Sequence, residues 1–266
     1  MDLELKDKVA VVTGGSRGIG KAIARSLAQE GARVAIVARD MAALNAAAAE
    51  IAGETGSEVK AFKADTGSDD QVKAMVDGVL KAFGRVDILV NCAATAGGQT
   101  KAPPLEGMTD EALWGEINIK VMGYVRTARE ITPHMIKQGG GRIINISGLA
   151  ARSAGNIIGS IRNVSVAALT KNLADELGPK GISVVCVHPA TTRTEKTEDT
   201  FARQAKAQGV GVDEIEKRMA SRNLIGRLIT AEEIGNVVVF LASPKSIAIN
   251  GDAIATGGGT PGAIYY

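Results

Sequence analysis

Val9 to Ala24 reads VAVVTGGSRGIGKAIA, and the fold turns on this stretch. Val9–Val12 is an unbroken apolar run, as expected for a strand covered on both faces. Gly14, Gly18 and Gly20 then permit tight turning and close backbone approach. Ile19, Ile23 and Leu27 follow at helical spacing. A strand, a glycine-rich turn and a helix in that order aim unpaired N–H groups and a partial positive charge at one point, a seat for a pyrophosphate. The reading predicts dinucleotide binding.

Outward from this unit, strand-length apolar runs alternate with helical patterns. Val34–Ala38, Val59–Lys63, Val86–Asn91, Arg142–Ser147, Ile182–His188 and Ala253–Thr256 read as further strands. Ile19–Gln29, Met41–Ala52, Asp70–Phe83, Ala112–Lys137, Ser165–Leu177 and Glu232–Ser243 read as helices, with Asp40 as an N-cap. This alternation predicts an α/β fold: a single-domain Rossmann-type, doubly wound parallel sheet of about seven strands flanked by helices, covering 1–266. Ala94–Glu106 and Thr191–Arg227 escape the alternation. The second carries two charged helical patterns and is expected to be a substrate lid or a plain surface insertion. Ala94–Pro104, Ala150–Ile158 and the lid would line the pocket, with Lys101, Arg152 and Arg193 as its basic residues.

Composition narrows the function classes. Of 266 residues, 31 are Lys or Arg and 29 Asp or Glu, a formal net charge of +2, so nothing predicts nucleic acid or a membrane surface as a partner. Four Phe, one Trp and three Tyr are too few for a base-stacking platform. Cys92, Cys186, His134 and His188 lack metal-ligand spacing, so no metal is expected, and the two isolated cysteines read as reduced core thiols. Met1-Asp2-Leu3-Glu4 opens no secretory signal, and Val237–Ala242 is too short to span a bilayer. A cytoplasmic protein is expected.

The glycine spacing, TGxxxGxG, resembles the short-chain dehydrogenase/reductase family. Asp65 matches that family's adenine-contacting Asp, and Asn91–Ala94 (NCAA) resembles its NNAG. Arg142–Gly148 (RIINISG) resembles the strand carrying its catalytic Ser. Leu169–Ala190 is similar to the stretch from its main interface helix to its PG turn, and Gly226–Gly259 to its closing segment. The resemblance spans nearly the whole chain. It implies a nicotinamide cofactor held by Gly14, Ser16, Arg17, Gly18, Ile19, Gly20, Asp65, Thr66, Asn91, Ala93, Pro189, Thr192 and Thr194, and a homo-oligomer, tetramer or dimer. The second strand ends in Ala38-Arg39 and so lacks the carboxylate that would bond the ribose 2′-OH of NAD. Arg39 and Arg17 suit a 2′-phosphate, which favours NADP(H) over NAD(H); the alternative has Asp40 reaching back to the ribose.

The family's chemistry is hydride transfer between nicotinamide and a carbonyl or alcohol carbon. The resemblance implies a Tyr acid/base, a Lys that holds the nicotinamide ribose, a Ser that orients the carbonyl, and an Asn on the preceding helix. Ser147 matches the Ser. Gly159 stands at the Tyr position and Asn163 at the Lys position. For the Asn there are two candidates, Asn118 and Lys120; two residues apart on a helix, only one can face the nicotinamide. Three groups can stand in for the missing acid: Arg162, which stabilises an oxyanion but keeps its proton; Lys120, which can do both; and the tail, Tyr265-Tyr266. Three functions stay open. They are an oxidoreductase with a rearranged proton donor, a non-redox enzyme that retains the cofactor, and a non-catalytic NADP(H)-binding subunit or sensor. The small-molecule substrate is not readable.

Overall fold

Seven parallel strands form one sheet in the order β3-β2-β1-β4-β5-β6-β9. The computed structural model describes residues 1–95 and 103–264. Lys101, most of the pocket segment Ala94–Pro104, and the Tyr265-Tyr266 tail lie outside the described residues. The strands are β1 (Val9–Thr13), β2 (Arg33–Ala38), β3 (Val59–Lys63), β4 (Ile88–Asn91), β5 (Gly141–Ile146), β6 (Ile182–Pro189) and β9 (Ala253–Thr256). A separate parallel pair joins β7 (Thr192–Arg193) to β8 (Ile229–Thr230).

The helices are α1 (Gly18–Gln29), α2 (Met41–Thr55), α3 (Asp69–Phe83), α4 (Asp110–Glu116), α5 (Gly123–Lys137), α6 (Ile157–Leu177), α7 (Thr197–Gln208), α8 (Val212–Ala220) and α9 (Ala231–Ala242). β1 shows why the strand runs are continuously apolar. Ala10 and Val12 pack with Ile23 and Leu27 of α1 and Ile234 and Val238 of α9. Val9 and Val11 point the other way, to Val72 and Val76 of α3 and Ile131 and Met135 of α5. Both faces are buried, so neither takes polar residues. Strand order reverses between β1 and β4, the place where sheets of this kind open a ligand crevice at their carboxyl ends.

Two helices differ from expectation. The single helix Ala112–Lys137 is interrupted: a π-helical turn, Ile117–Met122, separates α4 from α5. α6 starts at Ile157, not Ser165, because the Asn156 side chain caps it by accepting from the Gly159 amide at 2.6 Å. Its first turns carry Ile157, Ile161 and Val164 on the outside, so no inward apolar period advertises them. The segment 191–227 does contain two helices, α7 and α8, joined around Phe201, Ala205, Ile215 and Leu228. Among the described residues no helix is long and apolar enough to cross a membrane.

Candidate active site

The turn from β1 into α1 is built at van der Waals limits. A β-carbon on Gly20 would lie 2.3 Å from the Gly14 carbonyl oxygen, and one on Gly14, where φ is +70°, 3.1 Å from the Ala93 backbone. Thr13 locks this turn to the end of β4, its Oγ1 accepting from the Cys92 and Ala93 amides at 3.0 and 3.1 Å. The first amides of α1 lack intrahelical partners by geometry and face outward from this cradle. A phosphate pair fits such a seat, because the close backbone packing at Gly14 and Gly20 leaves main-chain amides, not side chains, to line it. Ile19 turns its side chain to the core while its amide stays in the first helical turn. Ser16 borders the same turn. Arg17 in the turn and Arg39 at the end of β2 are exposed, and neither guanidinium has a partner among the described residues. Asp40 spends its carboxylate as the α2 N-cap, accepting from the Ala43 amide at 3.1 Å.

Other residues expected at the cofactor divide into two groups. Asp65 is half-buried, with Oδ1 accepting from the Gly67 amide at 2.8 Å. Pro189 closes β6, and the segment beyond it carries Thr194 to within 3.7 Å of a β-carbon built on Gly18. Thr192 bonds the Ala190 carbonyl at 3.1 Å. These sit at the crevice. Thr66 and Asn91 act from beneath it. Thr66 is buried against Gly123, where a β-carbon would come within 3.0 Å of its hydroxyl. Asn91 is fully buried, donating to Asn145 Oδ1 at 2.9 Å and accepting from Thr127 at 2.6 Å. Asn145 donates onward to Thr170 at 3.0 Å. This chain of amides and hydroxyls ties α5 to α6 across β4 and β5, so the Asn91 side chain braces the crevice floor rather than touching what lies on it.

Above that floor Lys120, Ser147, Asn163 and Arg162 converge. The π turn points Lys120 inward, where it is 5% exposed, and such turns recur at functional sites. Its Nζ donates to the Ser147 carbonyl and to Asn163 Oδ1, both at 2.8 Å. Burial, then the positive charge of Arg162, lowers its pKa from the usual 10.5 to about 8. Ser147 Oγ donates to the Asn163 carbonyl at 2.9 Å. Asn163 Nδ2 in turn donates to the Gly159 carbonyl at 2.8 Å. Arg162 pairs with Glu116 of α4 and donates to the Thr95 carbonyl at 3.2 Å; its Nε is buried without a partner among the described residues. Burial holds the neighbouring thiols protonated, Cys92 pushed up to about 12 and Cys186 to about 11. His188 is kept neutral, lowered to about 4 by burial and by Arg152 and Lys120.

Asn118 does not join this cluster. Its Oδ1 accepts from Arg126 at 2.8 Å and its Nδ2 lies 3.5 Å from the Gly67 carbonyl. Arg126 also bonds the Thr66 and Asn118 carbonyls and Asp69, so Asn118 belongs to the polar joint between α3 and α5. Of the two candidates, Lys120 reaches Ser147 and Asn118 faces away. Tyr124 is buried one turn further on, its hydroxyl committed to the Ile146 carbonyl at 2.9 Å and its pKa raised well above 10 by burial.

Comparison with known proteins accounts for this architecture. Residues 14–260 match the family described as enoyl-(acyl carrier protein) reductase. The short-chain reductase protein NovJ of Streptomyces niveus is 34% identical over 257 residues, which cover 96% of this chain and 95% of NovJ. D-threitol dehydrogenase of Mycolicibacterium smegmatis is 32% identical, covering 97% and 94%. The crystal structure of L-sorbose reductase from Gluconobacter frateurii, complexed with NADPH and L-sorbose, superposes with a TM-score of 0.93 at 31% identity, over 99% of this chain and 100% of that one. This chain belongs to the short-chain dehydrogenase/reductase family. It is an NAD(P)-dependent oxidoreductase.

Lysine and asparagine face each other across the cluster. The lysine stands at 120 on the π turn, the asparagine at 163 on α6, and the two are bonded. Gly159 leaves no void either. A β-carbon there would meet Asn156 Oδ1 at 2.8 Å, because the capping side chain occupies that space. Sequence reasoning missed Thr13, Asn145, Glu116 and Asn156. Two carried a signal: Thr13 as the T of TGxxxGxG, and Asn145 as a polar residue inside a strand of buried isoleucines.

Proposed function

We propose that this short-chain dehydrogenase/reductase interconverts a carbonyl compound and its alcohol with NADP(H), using Lys120 in place of tyrosine as the proton donor and acceptor. The observation that carries this reading is the buried Lys120 ammonium, bonded to Ser147 and Asn163 and lowered to about 8. An acid with a pKa near working pH is charged at neutrality yet gives up its proton readily. When bound, the nicotinamide exchanges a hydride with the substrate carbon. Ser147 orients the substrate oxygen through Oγ. Lys120 delivers a proton to that oxygen in reduction and removes one in oxidation. Asn163 holds the ammonium through Oδ1, and the unpartnered Arg162 Nε offers a donor to a developing oxyanion. Lys120→Met is expected to slow ketone-dependent NADPH oxidation by about 10²–10⁴-fold while leaving the Kd for NADPH within about twofold; unaltered turnover in that variant sinks the assignment.

For the cofactor, Asp40 is engaged in capping α2 while Arg17 and Arg39 are unpaired and exposed, which supports a 2′-phosphate contact. Arg39→Ala is expected to weaken NADPH about tenfold, ~1.4 kcal/mol, and to leave NADH unchanged. Equal losses for both cofactors, measured by nicotinamide fluorescence, remove the specificity role.

A second reading has its own observation: the Ser147 hydroxyl is satisfied by the Asn163 main chain and Asn156 fills the space at Gly159, an arrangement suited to a binder without turnover. Tight NADPH binding with no oxidation across a ketone panel selects it. Exposed Trp114, Ile161 and Val164 on α4 and α6 support a homo-oligomer, which sedimentation tests. Two free thiols, Cys92 and Cys186, support a reducing, cytoplasmic setting. We read 1–266 as one domain and 191–227 as its lid.

A further inference from the structure

We propose that Glu195 is a built-in competitor for the cofactor's pyrophosphate, an inference that rests on the dinucleotide-binding reading of the β1–α1 turn. Its Oε1 accepts from the Gly18 amide at 2.8 Å, across 177 residues of sequence. That amide is the first of α1, where a phosphate oxygen would be received. Among the described residues Glu195 makes no ion pair, although Lys21, Arg25 and Arg193 border the same cavity. The basic groups nearest are spoken for: Lys21 pairs with Glu50, Arg25 with Glu50 and Glu54, and Arg193 with Glu216 of α8. Among the described residues its only partner is the helix amide, so the carboxylate behaves as an anion docked at the helix start.

The docking is imposed by the chain around it. Just before Glu195, β7 is paired with β8, and the Thr194 amide donates across Glu195 to Thr197 Oγ1 at 2.8 Å, closing the turn into α7. The segment 191–227 therefore delivers the carboxylate to Gly18. One N–H cannot serve two full acceptors, and a carboxylate beside a pyrophosphate is repelled. Cofactor entry has to displace Glu195. A cavity of about 370 Å³ between Gly18, Lys21, Arg193 and Glu232 gives the displaced side chain room. Cofactor affinity is thereby discounted by the fraction of molecules in which Glu195 occupies the amide.

The test compares the full-length protein with Glu195→Gln, which keeps an acceptor oxygen and loses the charge, and with Glu195→Asp, which keeps the charge on a shorter arm. At low ionic strength, Glu195→Gln is expected to bind both NADPH and inorganic pyrophosphate about threefold to tenfold more tightly than the parent. The gain should shrink in 0.5 M salt, and the cofactor-free variant should melt no higher than the parent. Glu195→Asp should gain less than Glu195→Gln. Unchanged or weaker binding of both ligands by Glu195→Gln overturns the proposal, leaving Glu195 as a structural cap. If neither parent nor variants bind NADPH, NADH or pyrophosphate, the dinucleotide reading itself fails, and this inference with it.

Discussion

At the β1–α1 turn the chemistry is carried by main chain: Gly14 and Gly20 are required because a β-carbon at either would collide with backbone. At the Lys120–Ser147–Asn163 cluster it is carried by side-chain ends, which meet across two facing helices. Backbone geometry offers no second way to be satisfied. An ammonium and an amide can meet at one point from either wall; here the lysine sits on the π turn and the asparagine on α6, bonded to each other. The contrast explains how one end of the crevice keeps its motif letter for letter while the other departs from it.

The sharpest way to break the comparison is at the side-chain end. Lys120→Met should slow turnover by about 10²–10⁴-fold, the usual worth of a general acid, with NADPH binding retained. Exchanging the two ends, with Lys120→Asn and Asn163→Lys together, should recover more activity than either single change, because each single variant removes or duplicates the ammonium. At the main-chain end the effect should be smaller and of another kind. Gly20→Ala forces a methyl group to within 2.3 Å of the Gly14 carbonyl. The turn must shift, at about 1–3 kcal/mol, and the Kd for NADPH should rise about 5- to 150-fold in a fluorescence titration.

The pH dependence separates the two regions again, since only the side-chain end titrates. With Lys120 at about 8, reduction should be level below that pH and fall tenfold per unit above it, while alcohol oxidation should rise toward pH 8 and level off. Stability follows the same group with a definite sign. The lysine is lowered in the fold to about 8 from 10.5, so between those values the unfolded chain binds more protons and stability rises with pH. Lys120→Met should flatten that rise in urea titrations at pH 8 and 10. A rise of equal slope in the variant assigns it to other groups.

Much of this was legible in the sequence, for reasons the structure makes plain. Buried parallel strands announce themselves as unbroken apolar runs, and steric necessity makes the glycine turn readable. Ser147, Lys120 and Asn163 were found because the family motif marks their positions, although nothing in the letters shows that Lys120 and Asn163 touch. The beginning of α6 was not legible, because Ile157, Ile161 and Val164 face outward and Asn156 is a cap only once the helix exists. Nor was the π turn, which adds no residue type of its own and shows only as a changed direction for Lys120.

The smallest expected effect tests that change of direction. Asn118 and Lys120 are two residues apart, and sequence alone offered both for the same task. In the structure Asn118 accepts from Arg126 and lies against Gly67, on the far side of the helix from Ser147. Asn118→Ala should therefore remove one partly exposed, charge-assisted hydrogen bond, at about 0.5–1.5 kcal/mol. In a chain of this size the melting temperature should fall by a few degrees, at about 2–4 °C per kcal/mol. Because the lost bond braces α5 on the β3–α3 loop, kcat and its pH profile should stay near those of the parent once the protein is folded. If kcat fell a hundredfold with Tm unchanged, Asn118 and not Lys120 would be the residue facing the nicotinamide, and the contact across the helices would lose its meaning.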